Sequence, residues 1–357
     1  MRSIYGKNLK LSIFGASHDA YVGMDLVGIP AGLVVDQDKL AAFLQRRAPG
    51  QNAWSTPRKE ADKPIFTRGL LANGVTYGAP IVAMIQNQNT RSADYEEVKH
   101  LPRPGHADYT SFVKYGEIFP GGGHFSGRMT APLCIAGGMC LQWLEAKGIR
   151  IGAHILKIGT AEDAAFDPMN PRLDQVEPAF PVLNQQAADE MQAQIASAKA
   201  EGDSLGGWIE CAVTGLPAGI GGPMFDGVES RLAEIIYGIP AVKEMAFGDT
   251  KDIGSENNDA FTVENGVVKT VTNHCGGILG GITNSMPLIF RVRIKPTPSI
   301  AKPQQTVDLQ TKEVTTIQVK GRHDPCIVPR AVPVVEAATA IALYDMILGA
   351  SQKDGRK

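Results

Sequence analysis

Gly28-Ile29-Pro30-Ala31-Gly32 and Gly215-Leu216-Pro217-Ala218-Gly219 are one turn written twice, 187 positions apart. Each leads through an aspartate, Asp36 or Asp226, into a helical pattern carried by Leu40, Phe43 and Leu44 or by Leu232, Ile235 and Ile236. Gly74-Val75-Thr76-Tyr77-Gly78-Ala79-Pro80-Ile81-Val82 returns 207 positions later as Gly281-Ile282-Thr283-Asn284-Ser285-Met286-Pro287-Leu288-Ile289. Gly127-Arg128 returns as Gly321-Arg322, 194 positions on, and each opens a long helix of small residues. Three correspondences in one order and at similar offsets imply an internal duplication. The halves span about 1–148 and 205–357, joined by 149–204. Two related halves meeting about a pseudo-twofold axis predict one interlocked unit over residues 1–357.

Local patterns fill in this frame. Alternating or β-branched runs predict strands at 9–14, 23–28, 65–71, 80–87, 150–158, 207–214 and 287–295. Helical spacing predicts helices at 37–47, 128–147, 186–201, 226–237 and 330–349, with Asp36 and Asp226 as N-caps. The 128–147 helix is so rich in Ala, Gly and Cys that it should pack closely on another helix. Strands outnumber helices and follow one another, which gives an α+β fold of antiparallel sheets around buried helices, not a Rossmann repeat. Residues 159–184, with several prolines and acids, read as a long surface excursion.

With 35 basic and 37 acidic residues the net charge is -2, which argues against generic nucleic-acid binding. Cationic side chains nevertheless gather locally: Arg46, Arg47, Arg58, Arg68, Arg91, Arg103 and Arg128 share a stretch with His106 and His124. Guanidinium forks match phosphate and carboxylate, so this region suits a small polyanion, although any one arginine also reads as a surface ion pair. Five cysteines without a Cys-x-x-Cys pair predict reduced thiols in the cytoplasm. The N-terminus lacks the apolar core of a signal peptide, and no apolar run approaches the roughly 18 residues of a membrane span.

Three histidines have an aspartate beside them: His18 with Asp19, His106 with Asp108, and His323 with Asp324. A carboxylate fixes an imidazole tautomer or raises its pKa, so these pairs suggest proton transfer around an anionic ligand. The densest glycine loop, Pro120 to Arg128, precedes a helix and would offer free N–H groups to an anion, or form a plain turn. It is neither a Walker A loop nor Gly-x-Gly-x-x-Gly. A second cluster, Asn273 to Gly281, suits close backbone approach to a flat ligand or to another strand. Lys295-Pro296-Thr297-Pro298-Ser299 offers hydroxyls and one cation, a phosphate contact or a strand exit. No metal site is expected, because cations crowd the candidate ligands. On the residues alone this is an enzyme using histidines and arginines on a phosphorylated or carboxylated substrate.

These segments together resemble the chorismate synthase family over nearly the whole chain. Its N-terminal signature is similar to Phe14-Gly15-Ala16-Ser17-His18, its central block to Arg103-Pro104-Gly105-His106-Ala107-Asp108-Tyr109, and its C-terminal signature to Gly321-Arg322-His323-Asp324-Pro325-Cys326. The resemblance implies a helical layer between two antiparallel sheets, a homotetramer, and a 1,4-elimination. That reaction converts 5-enolpyruvylshikimate-3-phosphate to chorismate and phosphate and requires reduced FMN. It assigns His18 as proton donor to the leaving phosphate, His106 as acting near the reduced flavin, and Asp324 as working with the flavin when the C6 proton is removed. Arg47 and Arg128 match substrate contacts. His124, Phe125, Ser126, Pro240, Ala241, Gly280, residues 295–299 and Arg322 match flavin contacts. Without a Rossmann fingerprint, an external flavin reductant is expected to replace direct NADPH use.

The chain departs from the family pattern at several places. His124, Phe125, Met129 and Leu133 stand where the family commonly has Arg, Ser, Glu and Arg; Ala53 replaces an arginine and Pro240 an asparagine. Cations are thereby lost from the anion pocket, with Arg58 and Arg68 as candidate substitutes. A homologue that binds FMN or a phosphorylated ligand without turnover is the alternative. The joint presence of His18, His106 and Asp324 points to an active enzyme.

Overall fold

Two five-stranded antiparallel sheets enclose a layer of helices in the computed structural model, which describes residues 2–50, 52, 54–56, 60–88, 99–319 and 323–354. The strands are β1 (Arg2–Tyr5), β2 (Lys10–Gly15), β3 (Tyr21–Val27), β4 (Ile65–Arg68), β5 (Ile81–Gln86), β6 (Arg150–Ile158), β7 (Ala161–Glu162), β8 (Gly207–Thr214) and β9 (Val242–Phe247). Two small hairpins follow, β10 (Phe261–Glu264) with β11 (Val267–Thr270) and β12 (Ile278–Leu279) with β13 (Ile282–Thr283), before β14 (Leu288–Ile294). A third hairpin pairs β15 (Gln304–Val307) with β16 (Val314–Ile317). The helices are α1 (Gln37–Arg47), α2 (Asp108–Tyr115), α3 (Thr130–Glu145), α4 (Gln185–Ala200), α5 (Val228–Ile236), α6 (Gly254–Asn257) and α7 (Val328–Asp354).

The sheets repeat one another. The first has the order β1-β2-β3-β5-β4 and the second β7-β6-β8-β14-β9. The duplicated turns repeat to the atom: the Thr76 hydroxyl donates to Pro30 O at 2.7 Å and accepts from Leu33 N–H at 2.9 Å. The Thr283 hydroxyl donates to Pro217 O at 2.7 Å and accepts from Ile220 N–H at 3.0 Å. Because each threonine closes its Gly-x-Pro-Ala-Gly turn against a distant hairpin, both halves keep the same residue there.

α3 and α7 form the middle layer and pack against each other and the sheets. Thirteen of the sixteen α3 residues are buried, so this helix has no solvent face. A Cβ on Gly137 would sit 2.3 Å from Ala337 Cβ, so the two backbones touch at their crossing. This close packing is why the helix is built of Ala, Gly and Cys.

α7 corrects one expectation. Val328–Ala350 is long and apolar enough to cross a membrane, with an 18-residue window of mean hydropathy 1.6, yet 83% of that window is buried inside the protein. Its two acids are fully engaged. Glu336 takes both guanidinium arms of Arg46, at 2.6 and 2.9 Å, and the Ala153 N–H. Asp345 accepts from Asn8 N–H at 2.7 Å, Leu9 N–H at 2.8 Å and Arg231 at 3.1 Å.

Two further expectations need correction. Asp36 caps α1, accepting from Asp38 and Lys39 N–H. Asp226 does not cap α5: Gly227 is the N-cap, and Asp226 pairs with Lys7. Nor is 159–184 merely a surface excursion, since Phe166, Phe180 and Val182 are buried. Its anchor is His154 on β6, wholly buried between Glu210 at 3.2 Å and Asp163 at 3.3 Å; the second is a charge contact that misses the hydrogen-bond direction. Asp163 in turn holds Leu183 and Asn184 N–H, and Glu210 holds Phe166 N–H.

Burial opposes charge on His154, but the two carboxylates outweigh it and raise its pKa above the ordinary 6.5. A raised folded pKa gives stability that is complete below about pH 6.5 and fades as pH climbs through the folded value. His154→Gln should therefore destabilise the chain by about 3 kcal/mol at pH 6, by removing the cation between two buried carboxylates. Urea unfolding at pH 6 and pH 9 checks this: the gap between wild type and variant should narrow at the higher pH, and a constant gap contradicts a charged His154.

Candidate active site

A cavity of about 670 Å³ opens where loops of both halves converge. Its walls bring together His18, Arg47, His106, His124, Phe125, Ser126, Arg128, Pro240, Ala241, Lys295, Thr297, Pro298, Ser299 and Asp324 from among the expected residues. Pro296 and Gly280 are not part of the lining; Gly280 sits in the β12–β13 turn with open space about its Cα. Arg322 lies outside the described residues, as do Ala53 and Arg58. Arg68 is exposed on β4 and does not reach the cavity.

The glycine loop separates the two histidines. Gly121, Gly122 and Gly123 have φ of 60°, 81° and 54°, the left-handed region that only glycine enters readily. A Cβ on Gly121 would fall 2.0 Å from the His18 ring, and one on Gly122 would lie 3.0 Å from the His106 ring. The loop therefore acts as a spacer with His18 on one side and His106 on the other. Buried Ser17 fixes the His18 side, its hydroxyl 3.1 Å from His18 Nδ1 and within reach of Gly121 O at 3.0 Å.

His106 is aligned by its aspartate, as their pairing in the sequence suggested. Asp108 Oδ1 lies 2.6 Å from His106 Nδ1. With a proton on Nδ1 donated to Asp108, Nε2 is left as the free acceptor; this tautomer is assigned from the contact. Arg103 wraps the same carboxylate through Nε at 2.7 Å and Nη2 at 2.9 Å, and reaches Ser299 Oγ at 3.1 Å. Burial would raise the Asp108 pKa, but Arg103 and His106 overcome it and hold the carboxyl well below the usual carboxylate range.

Across the cavity, Asp324 is gripped on both oxygens. Oδ1 accepts from Thr56 N–H at 2.8 Å and Ser55 Oγ at 3.3 Å, and Oδ2 accepts from Arg330 at 2.5 Å. His323 also lines the cavity. Burial, with Arg103 nearby, depresses its pKa to about 4, so its ring is neutral at pH 7. Arg47 and Arg128 share buried Asp62, and Lys295 donates to Gly105 O.

The departures from the family pattern have local explanations. His124 is tied down, with Nδ1 2.8 Å from Gly15 O and Nε2 2.9 Å from Ser3 Oγ. Met129 and Leu133 are buried core residues. The second glycine cluster serves strand approach: Cβ atoms on Gly276 and Gly277 would strike the Gly248 and Pro287 backbones.

A sandwich that lines one cavity with two histidines, a carboxylate and a pair of arginines has the residue set of an enzyme site for proton transfer beside an anion. The comparisons give that class a family. The family model for chorismate synthase matches residues 9–348. The chorismate synthase of Lancefieldella parvula is 45% identical over 367 residues, covering 97% of this chain and 96% of that protein. The chorismate synthase of Korarchaeum cryptofilum is 42% identical over 351 residues, covering 97% of each. A crystal structure of chorismate synthase superposes with a TM-score of 0.75 at 25% identity, over 97% of this chain and 93% of that one. The chain belongs to the chorismate synthase family, and it is a lyase.

Proposed function

We propose that this cavity binds 5-enolpyruvylshikimate-3-phosphate together with reduced FMN and releases chorismate and phosphate. The observation that carries the reading is a set of buried polar atoms without protein partners: Arg128 Nη2, Thr297 Oγ1 and His323 Nε2, all on cavity-lining residues. Buried polar atoms without partners are costly, and a ligand bearing phosphate, carboxylate and ring heteroatoms would satisfy them. The volume suits a flavin beside a small substrate. Pro240, Ala241, Lys295, Thr297, Pro298 and Ser299, with His124, Phe125 and Ser126, line the cavity and would hold the FMN.

In the elimination the C6–H electron pair becomes a new C=C bond, and phosphate leaves the allylic carbon with the C–O pair. Reduced FMN supplies electron density that weakens the C–O bond. The chain supplies the rest. Arg47 and Arg128 offset the substrate's charge and fix its phosphate or a carboxylate. His18 gives a proton to the departing phosphate, and Asp324 works with the flavin in removing the C6 proton. His106, held by Asp108 and separated from His18 only by the glycine loop, sets the field and proton inventory near the flavin. Because both halves furnish the walls, the whole chain acts as one functional unit.

The same reading includes an external flavin reductant, a homotetramer and a cytoplasmic setting. Free cysteines support the last, with burial pushing the Cys134 and Cys326 thiols up to about 12. Exposed Met224, Phe225 and Phe261 support further assembly. The experiment is anaerobic incubation with reduced FMN and the substrate, following phosphate and chorismate together. Equal yields of both, and neither without reduced flavin, are expected. Binding without product would favour a non-catalytic homologue, and chelator-sensitive phosphate release indifferent to flavin would favour a metal hydrolase.

A further inference from the structure

The loop after α1 contains a buried carboxylate with no assigned role in the reaction. Asp62 is 1% exposed and bridges Arg47 through Oδ2 and Arg128 through Oδ1. Its φ of 47° is left-handed, a conformation a non-glycine residue keeps only when its surroundings hold it there. Burial would raise its pKa, but the two guanidiniums more than offset this and keep it ionised.

What the bridge does follows from the remaining nitrogens. Arg47 spends Nε on Thr130 Oγ1 at 3.1 Å and Nη1 on Asp62; its Nη2 has only Gly127 O, at 3.5 Å. Arg128 spends Nε on Asn87 Oδ1 at 2.9 Å and Nη1 on Asp62; its Nη2 is buried without a partner. In each arginine Nε and Nη1 are tied to protein side chains, and Nη2 is the least engaged position, with one long bond in Arg47 and no partner in Arg128. One carboxylate holding two guanidiniums also keeps two like charges side by side in the absence of ligand.

We propose that Asp62 is a positioning residue: it locks Arg47 and Arg128 as a matched pair whose two Nη2 groups are presented to one oxyanion of the substrate. This rests on the reading that the cavity turns over an anionic substrate. Removing the carboxylate has two opposed effects. The pair gains a full uncompensated positive charge, which strengthens attraction for any small anion. It also loses the bond that orients both forks, so the anion is held in geometries that do not react.

The test is a split between affinity and turnover that a purely structural role would not produce. Asp62→Asn should bind inorganic phosphate about tenfold more tightly by calorimetry, while kcat falls by about 50-fold or more. A kcat within about threefold of wild type, or phosphate affinity no tighter than wild type, overturns the proposal. Should Asp62→Asn fail to fold, Asp62→Glu decides. It keeps the charge but displaces it by one methylene, so phosphate affinity should stay within about threefold while kcat drops about tenfold. An unchanged kcat in that variant overturns the proposal. The phosphate titration needs no turnover, so an inactive wild-type chain would sink the substrate reading while the affinity comparison still judges Asp62.

Discussion

Asp324→Asn is expected to lower turnover by about 100-fold or more while the chain stays folded, the loss typical of removing an acid–base group. Asparagine preserves the shape and still accepts from Thr56 N–H and Ser55, so the loop around residues 55 and 56 keeps its anchor. What is lost is the carboxylate proposed to work with the flavin when the C6 proton is removed. Both asparagine and alanine remove the counter-charge of Arg330, and alanine is the harsher change because it also drops the Thr56 and Ser55 bonds. That guanidinium is buried deeply enough for desolvation to lower its pKa, and Asp324 is the counter-charge opposing this. Single-turnover measurements with the variant loaded with reduced FMN separate the two effects. Normal substrate binding with slow product formation fits loss of a base, and activity within about tenfold of wild type would remove Asp324 from the mechanism.

His106→Ala should cost about 100-fold or more in kcat, again without unfolding. The His106 environment makes the effect traceable to one hydrogen bond. Asp108→Asn keeps a side chain of the same size 2.6 Å from Nδ1 but lets the amide donate, which favours the opposite tautomer and turns Nε2 into a donor. It should reproduce about a tenfold to hundredfold loss of kcat with little change in KM. The Asp108 carboxyl is depressed, so its stabilising pairs with Arg103 and His106 are present above about pH 4 and fade only in stronger acid. Thermal unfolding at pH 7 will therefore also show a lower Tm for Asp108→Asn. If kcat is untouched while Tm falls, Asp108 is a brace and nothing more.

Much of the fold was legible because its signals are local. The helix at Gln37–Arg47 falls where Asp36 and the Leu40, Phe43, Leu44 spacing put it, and the seven expected strands all form. Misreadings arose where a local pattern was answered from far away. Asp226 looked like a cap, but Lys7 takes it; the proline-rich excursion looked solvated, but His154 and two carboxylates draw it into the core. The site shows the same division. His18, His106 and Asp324 were visible from their neighbours, whereas Arg103, Arg330 and His323 gained a place at the cavity only once distant loops were brought together.

The sequence alone pointed to the duplication, the α+β architecture and the candidate site residues, because repeated turns, apolar periodicity and motif residues are properties of short segments. The partnerships were decided by tertiary structure. Asp62 reaches Arg128 across 66 positions, and Asp324 reaches Thr56 across 268. No local spacing encodes these pairs. They exist because α3 and α7 pack backbone to backbone between the sheets, which carries the loops of both halves to the same cavity and gives buried charges counter-charges from distant segments.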